Sequence, residues 1–385
     1  MALTGYEDIR PYNDSEVGEK IGLLLADPVF DRVLKALLRD PERVTAAREH
    51  LAGIQTVHQL QASFVYQLVE DIVRNTTQGL TCSGLDNLDH RKAFLFISNH
   101  RDIILDAAFL NYLIYENGMN TTQIAIGDNL LIYDWIIHAV KLNRAFVVKR
   151  NIAARELLAA SKKLSSYIRK SITADNVSVW IAQREGRTKD GDDQTQLSLL
   201  KMLNMSNHKS LADGFGELVI IPLAISYEIE PCGISKVDEL ILKESEEGFT
   251  KTTADDLKSM ANGMMNPKGR VHFSFGKPIL TSFLEANKDL PANDFIQELA
   301  RRIDHRIYQN YHLWPNNYVA YDLLNGTGEF IDFYSADDIV SFKKMVAEAQ
   351  AALPHHNPEE VARRFYNMYA RPVENSLVAA EVFRT

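Results

Sequence analysis

Apolar positions along the chain follow two rhythms. Up to about residue 78 they recur at helical spacing, whereas beyond Leu80 short apolar runs alternate with amphipathic stretches. In the first segment Asp14-Ser15 offers an N-cap ahead of a helix from Glu16 to Leu25. Asp27-Pro28 starts a second helix, with Val29, Phe30, Val33, Leu34, Leu37 and Leu38 at helical spacing. Asp40-Pro41-Glu42 repeats the cap-and-proline start, and a long helical pattern follows from about Val44 to Val73. Residues 1–12 read as an irregular arm. The polar face of these helices mixes acids with bases and lacks the cationic excess of interfacial helices. Packing on the next domain is therefore expected, rather than lying on lipid.

The second rhythm predicts strands at 93–97, 123–126, 145–148, 177–182, 219–226 and 271–275. Helices are predicted between them near 105–115, 130–140, 153–170 and 195–205, then at 253–261 and 293–308. This alternation implies an α/β fold: a mixed, largely parallel sheet flanked by helices, with helical N- and C-terminal extensions. The division is residues 1–79 helical, 80–285 α/β, and 286–385 helical and packed on it. Proline is unfavourable in a central strand, so Pro222 marks the 219–226 strand as an edge, a bulge or a ligand-facing irregularity. Pro315-Asn-Asn-Tyr318 breaks the pattern before helices at 319–324 and 336–353. His355-His356-Asn357-Pro358-Glu359 then caps a final helix, 360–369. The paired histidines raise the question of a metal. Neighbouring residues rarely share one ion and no third ligand sits nearby, so a solvated interhelix loop is expected.

Composition narrows the classes. The chain has 385 residues, 46% hydrophobic and 24% charged, an ordinary globular balance with room for one large domain and appendages. A net charge of −9 argues against a simple basic nucleic-acid binder. Two cysteines, Cys82 and Cys232, give neither a disulfide framework nor zinc spacing, and suit a reducing compartment. The first ten residues lack the basic start and apolar core of a signal peptide, and no run of about 18 apolar residues exists to span a bilayer.

The candidate chemistry begins at residues 94–106. An apolar strand, Phe94 to Ile97, ends in the polar knot Ser98-Asn99-His100-Arg101-Asp102, and helical spacing resumes at Ile103. Such a break places side chains at the carboxyl edge of a sheet, where open α/β folds bind ligands. Asp102 and Asp106 are both candidates to hold one ring nitrogen of His100 and leave the other as a base. The plain alternative is a loop histidine, one of 11 in the chain. Downstream, Phe146-Val-Val-Lys-Arg150 ends in two cations, and residues 135–170 hold nine Lys or Arg against the single acid Glu156. A local excess of 9 − 1 = +8 in an acidic protein suggests an anionic counterpart, although a solvated helix face explains Lys162, Lys163, Arg169 and Lys170 equally well. Further on, Glu185-Gly186-Arg187 ends another buried run. Glu185 can accept from a hydroxyl or pin a cation, Gly186 lets backbone approach a ligand, and Arg187 offers the fork suited to phosphate; a surface turn is the competing reading.

In order, these parts resemble the glycerolipid acyltransferase family, which includes glycerol-3-phosphate and 1-acylglycerol-3-phosphate acyltransferases. The blocks are Asn99-His100 with Asp106, Phe146–Arg150, Glu185-Gly186-Arg187-Thr188, Ile221-Pro222-Leu223, and a closing Val271–Ile279, together spanning about residues 80–280. The chain departs from the family pattern twice. Five residues, not four, separate His100 from Asp106, and one residue is missing before Arg187. These mark a divergent, bacterial-looking member and leave the acceptor open. The resemblance favours Asp106 over Asp102, as the acid in the first turn of the following helix.

The resemblance implies acyl transfer from acyl-CoA or acyl carrier protein to a hydroxyl of a glycerophosphate or lysophospholipid-type acceptor. His100 would be the base and Asp106 its orienting acid. Lys149, Arg150, Glu185, Gly186 and Arg187 would bind substrate, with no metal or cofactor. It also implies a cytoplasmic protein working at the inner face of a membrane. A thioester hydrolase using the same pair and a catalytically silent lipid- or phosphate-binding protein are the competing classes. A metal phosphatase built on His100, Asp102 and Asp106 lacks further ligands.

Overall fold

The computed structural model describes residues 5–150, 152–245 and 252–381. Residues 1–4 of the expected arm lie outside them. Among the described residues a seven-stranded sheet forms the centre, in the order β1-β7-β6-β2-β5-β3-β4. The strands are β1 (Leu80–Ser83), β2 (Leu95–Ser98), β3 (Gln123–Gly127), β4 (Ala145–Val148), β5 (Val179–Ala182), β6 (Ile220–Tyr227) and β7 (Val271–Phe275). All neighbouring pairs are parallel except β6 with β7. The mixed, largely parallel α/β sheet is as the sequence predicts.

The central strand β2 is apolar at nearly every position because both faces are covered. Leu95 and Ile97 pack with Tyr167 and Ile168 of helix Ala154–Thr173 and with Leu299 and Ile303 of helix Ala292–Gln309. Phe96 points the other way, to Phe109 and Leu110 of helix Leu105–Glu116. Strand β1 went unpredicted: Leu-Thr-Cys-Ser is short and alternates half-buried with exposed, as an edge strand does.

Pro222 needs a correction. Its strand is central, with Pro222 opposite Ile97 of β2. Pro222 O accepts from Gly276 N, just past the end of β7, and Ile279 N bonds Ile220 O. The missing N–H thus faces the end of the β7 pairing and not β2, so the β2–β6 ladder is kept.

The predicted long helix at 44–73 is broken into Pro41–Gly53, Val57–Leu60, a π turn at Gln61–Val65, and Tyr66–Thr76. The restart is a capping box: Gln59 N donates to Thr56 Oγ1 and Thr56 N to Gln59 Oε1. Val17, Ile21, Leu34 and Leu51 form a core of their own with Leu142. The arm is not loose. Ile9 is buried and its carbonyl accepts from Val147 N, covering the outer edge of β4.

At the other end, Pro315 opens a helix (Pro315–Asn325) instead of breaking one. It sits in the first turn, where a proline's missing N–H costs nothing. The final helix runs Pro358–Glu381, well beyond Tyr369. With Ala336–Ala352 these helices close a separate core around Val319, Phe342, Val361 and Phe365. Helices Leu211–Gly216, Gly233–Glu244 and Thr281–Ala286 were not anticipated. The His355-His356 turn is also not simply solvated: both rings meet Asp238 of helix Gly233–Glu244, a third potential ligand that sequence distance had hidden.

Candidate active site

Backbone pairing of β2 stops at Ser98, and the Asn99 side chain continues it. Its Oδ1 accepts from Ile225 N at 2.8 Å and its Nδ2 donates to Ile225 O at 2.9 Å, so the amide stands in for a strand residue. That clamp fixes where His100 leaves the sheet. The ring lies edge-on to Trp180, with centroids 5.7 Å apart. Its Nδ1 is 2.8 Å from Asp106 Oδ2. The same oxygen accepts from Arg101 N at 2.6 Å and Asp102 N at 3.1 Å, while Oδ1 accepts from Tyr227 Oη at 3.0 Å. A carboxylate surrounded by donors accepts from the ring as well, so Nδ1 carries the proton and Nε2 is left with its lone pair.

Asp102 is in a different position. Its Oδ1 accepts from Ile104 N and Leu105 N at 2.9 and 2.8 Å, at the start of helix Leu105–Glu116. Burial, with the Asp106 charge nearby, pushes its carboxyl above the usual carboxylate range. Its hydrogen bonds go to the helix start and not to the imidazole. The rival pairing of His100 with Asp102 is not what the fold builds.

His100 opens on a cavity of about 750 Å³, whose lining includes Lys149, Arg150, Glu185, Gly186 and Arg187. All the predicted substrate-binding residues therefore border one cavity. Thr188 N donates to His100 O at 3.0 Å and ties the Glu185–Thr188 turn to the histidine. Gly186 has φ +72°, a left-handed conformation that favours glycine. Arg187 is the notable cation: its side chain is 3% exposed, yet Nη1 and Nη2 reach no acceptor oxygen within hydrogen-bond distance among the described residues. The nearest acid, Glu239, is 4.0 Å away. Arg150 lies 3.3 Å from the exposed Glu185 carboxylate. Apolar side chains, including Ile103, Ile124, Ile126, Leu130 and Val148, also line the cavity.

Two expectations are corrected. Lys149 lines the cavity but its charge is already met, because Asp8 takes both Lys149 and Lys163 at 2.6 Å. Burial alone would raise the Asp8 carboxyl; the two lysines outweigh it and hold it down at about 2. The +8 excess at 135–170 is likewise largely spent inside the fold. Lys141 sits over the Tyr12 ring, Arg144 donates to Thr121 O, Arg169 pairs with Glu217 and Lys170 with Asp175. Sequence reasoning missed Asp8, Lys189 and Lys243 on the wall. Lys189 is paired with Glu239, and burial still pushes its ammonium down to about 8. Asp8 gives no local signal, since only the arm's path along β4 brings it there.

An imidazole–carboxylate pair thus stands at the carboxyl edge of the sheet and opens on a part-cationic, part-apolar cavity. Residues 79–226 match the family model Acyltransferase. The match covers the first four sequence blocks and ends at Ser226, leaving Val271–Ile279 outside it. No curated protein matches the sequence. Among solved structures, the 1-acyl-sn-glycerophosphate (LPA) acyltransferase PlsC from Thermotoga maritima is similar at 10% identity, over 74% of this chain and 92% of that one, with a TM-score of 0.37. Among the described residues no helix is long and apolar enough to cross a membrane.

Proposed function

We propose that the protein transfers a fatty acyl group from a thioester, on CoA or acyl carrier protein, to a hydroxyl of a glycerophosphate or lysophospholipid-type acceptor. The observation that carries this reading is His100, its Nδ1 held by Asp106, lining a cavity that also contains the Arg187 guanidinium, whose terminal nitrogens make no hydrogen bond. Nε2 takes the acceptor's hydroxyl proton as its oxygen attacks the thioester carbonyl. The C–S bond then breaks, and the leaving sulfur takes the proton from the imidazolium. A thiol of pKa near about 8.5 departs with little help, so one base suffices. Asp106 fixes the tautomer and stabilises the charged ring. Arg187 and Arg150 hold the acceptor's phosphate, which would supply the acceptor oxygens that Arg187 lacks. The apolar wall takes the acyl chain.

A bilayer is the natural source of such an acceptor. Leu157 and Leu158, 46% and 67% exposed beside Arg155 and Lys162, favour peripheral attachment at a cytoplasmic membrane face, and Leu157 also lines the cavity. The test is thiol release from long-chain acyl-CoA or acyl carrier protein against a panel of glycerophosphate and lysophospholipid acceptors. Release that requires a phosphorylated acceptor supports the proposal. Equal release without an acceptor makes the protein a thioester hydrolase, and no release with any pair removes the catalytic reading.

A further inference from the structure

We propose that Asp238, His355 and His356 form a binding site for a divalent cation of the zinc class. The site lies outside the catalytic cavity and is independent of the acyl-transfer reading. Asp238 is on helix Gly233–Glu244, and the histidines occupy the turn between helices Ala336–Ala352 and Pro358–Glu381. Both Nε2 atoms converge on one oxygen: His356 Nε2 is 2.7 Å and His355 Nε2 3.2 Å from Asp238 Oδ1. One ligand atom from each residue lies within 4.8 Å of the others.

Two ring nitrogens and a carboxylate oxygen aimed at one point have two solutions. Either both nitrogens carry protons toward the oxygen, or one cation replaces those protons. Around a tetrahedral zinc with bonds of about 2.0–2.2 Å, neighbouring ligand atoms stand roughly 3.3–3.5 Å apart. From 3.2 Å at His355 and 2.7 Å at His356, the Nε2–Oδ1 separations need to open by about 0.1–0.3 Å and about 0.6–0.8 Å, within the reach of a side-chain rotation. Two imidazoles and one carboxylate suit zinc, cobalt, nickel or copper, whereas magnesium and calcium prefer oxygen shells. The His356 side chain is 9% exposed and that of His355 57%, so the fourth position faces solvent and would be filled by water.

The position gives the cation a structural role. Helix Gly233–Glu244 also carries Lys236, whose Nζ donates to Arg101 O next to His100, and Leu240 and Lys243 on the cavity wall. A cation at Asp238 ties the C-terminal helices to the element that walls the cavity.

The test uses the full chain after chelator treatment, titrated with zinc and, separately, with cobalt. The expected result is one equivalent bound, a visible cobalt absorption of tetrahedral strength, and a zinc-dependent rise in Tm. His355→Asn removes a largely exposed ring, so its metal-free Tm should equal that of the wild type, while zinc affinity falls at least about tenfold. Asp238→Asn should do the same to binding. Failure of the wild type to take up one equivalent at about 100 µM free zinc overturns the proposal. So does uptake that is as tight in His355→Asn and Asp238→Asn as in the wild type, since the ion would then lie elsewhere.

Discussion

The two sides of His100 treat charge in opposite ways. On the cavity side, cations are left incompletely answered: Arg187 has no acceptor oxygen for its terminal nitrogens, and Arg150 is met by an exposed Glu185 at 3.3 Å. Behind the histidine, Arg101 is held by Asp193 at 2.5 Å and by Glu230 at 3.6 Å, and Lys236 by Glu230 and by Arg101 O. Arg187 on one side and Arg101 and Lys236 on the other are all buried, and both groups grow from the same sheet edge. A buried guanidinium whose donors lack acceptors is costly, so the fold tolerates it where a ligand can supply them. Where partners are complete, the charges position backbone instead, because Arg101 and its neighbours carry the N–H groups that hold Asp106. The contrast separates residues whose loss should stop turnover from those whose loss should loosen the fold.

The largest expected effect is at the histidine. His100→Ala should reduce acceptor-dependent thiol release by at least about 10³–10⁴-fold with Tm within a few degrees of wild type. Asp106→Asn should come close to that loss, because the amide can donate to Nδ1 and stabilise the wrong tautomer. Asp102→Asn should leave turnover within about tenfold, since an amide oxygen still accepts from Ile104 and Leu105. Equal losses in the two asparagine variants would erase the distinction between the carboxylates.

Behind the ring, Arg101→Met should lower stability by about 3–5 kcal/mol, the cost of leaving buried acids without their cation. A chemical-denaturation midpoint unchanged from wild type would show that the rear layer is not held by charge. Arg187→Gln sharpens the other half of the comparison. It should raise KM for a phosphorylated acceptor about 10–100-fold while changing stability little, because the terminal nitrogens make no hydrogen bond in the free site and Glu239 keeps Lys189 as its partner. A fall in Tm with KM unchanged would place Arg187 with the structural cations.

How far the sequence disclosed this arrangement depends on the range of each interaction. Phe94–Ile97 and the helix carrying Asp106 follow from local periodicity, and the His100–Asp106 contact spans only one turn of chain. Five further strands and the gathering of Arg150, Glu185 and Arg187 at one edge were also legible, since strand ends in a parallel sheet share an edge. The pairing of the cations was not. Asp8 reaches Lys149 across 141 positions, and Glu217 reaches Arg169 across 48. A count of nearby charges cannot see partners brought in by tertiary structure, so the +8 stretch looked like a field when it is mostly a set of ion pairs. Pro222 misled for a related reason: the strand is central, and only the early end of β7 removes the need for its N–H.

One buried acid breaks the rule of the rear layer and gives the smallest effect. Asp304, on helix Ala292–Gln309, is met by Thr195 N and Oγ1 at 2.9 and 2.5 Å, not by a cation. Burial pushes its carboxyl up to about 7, against those two hydrogen bonds and with the help of the Asp193 and Asp192 charges. A carboxyl raised from 3.8 when folded makes the protein less stable as pH climbs toward about 7, after which the penalty is constant. Asp304→Asn keeps an oxygen to accept both Thr195 bonds and cannot ionise. It should therefore shrink the part of the Tm difference between about pH 5 and pH 8 that comes from this group, and match or exceed wild type at the upper pH. A Tm difference as large as that of wild type would mean that Asp304 ionises normally, and that the layer behind the histidine holds an unpaired charge at no cost.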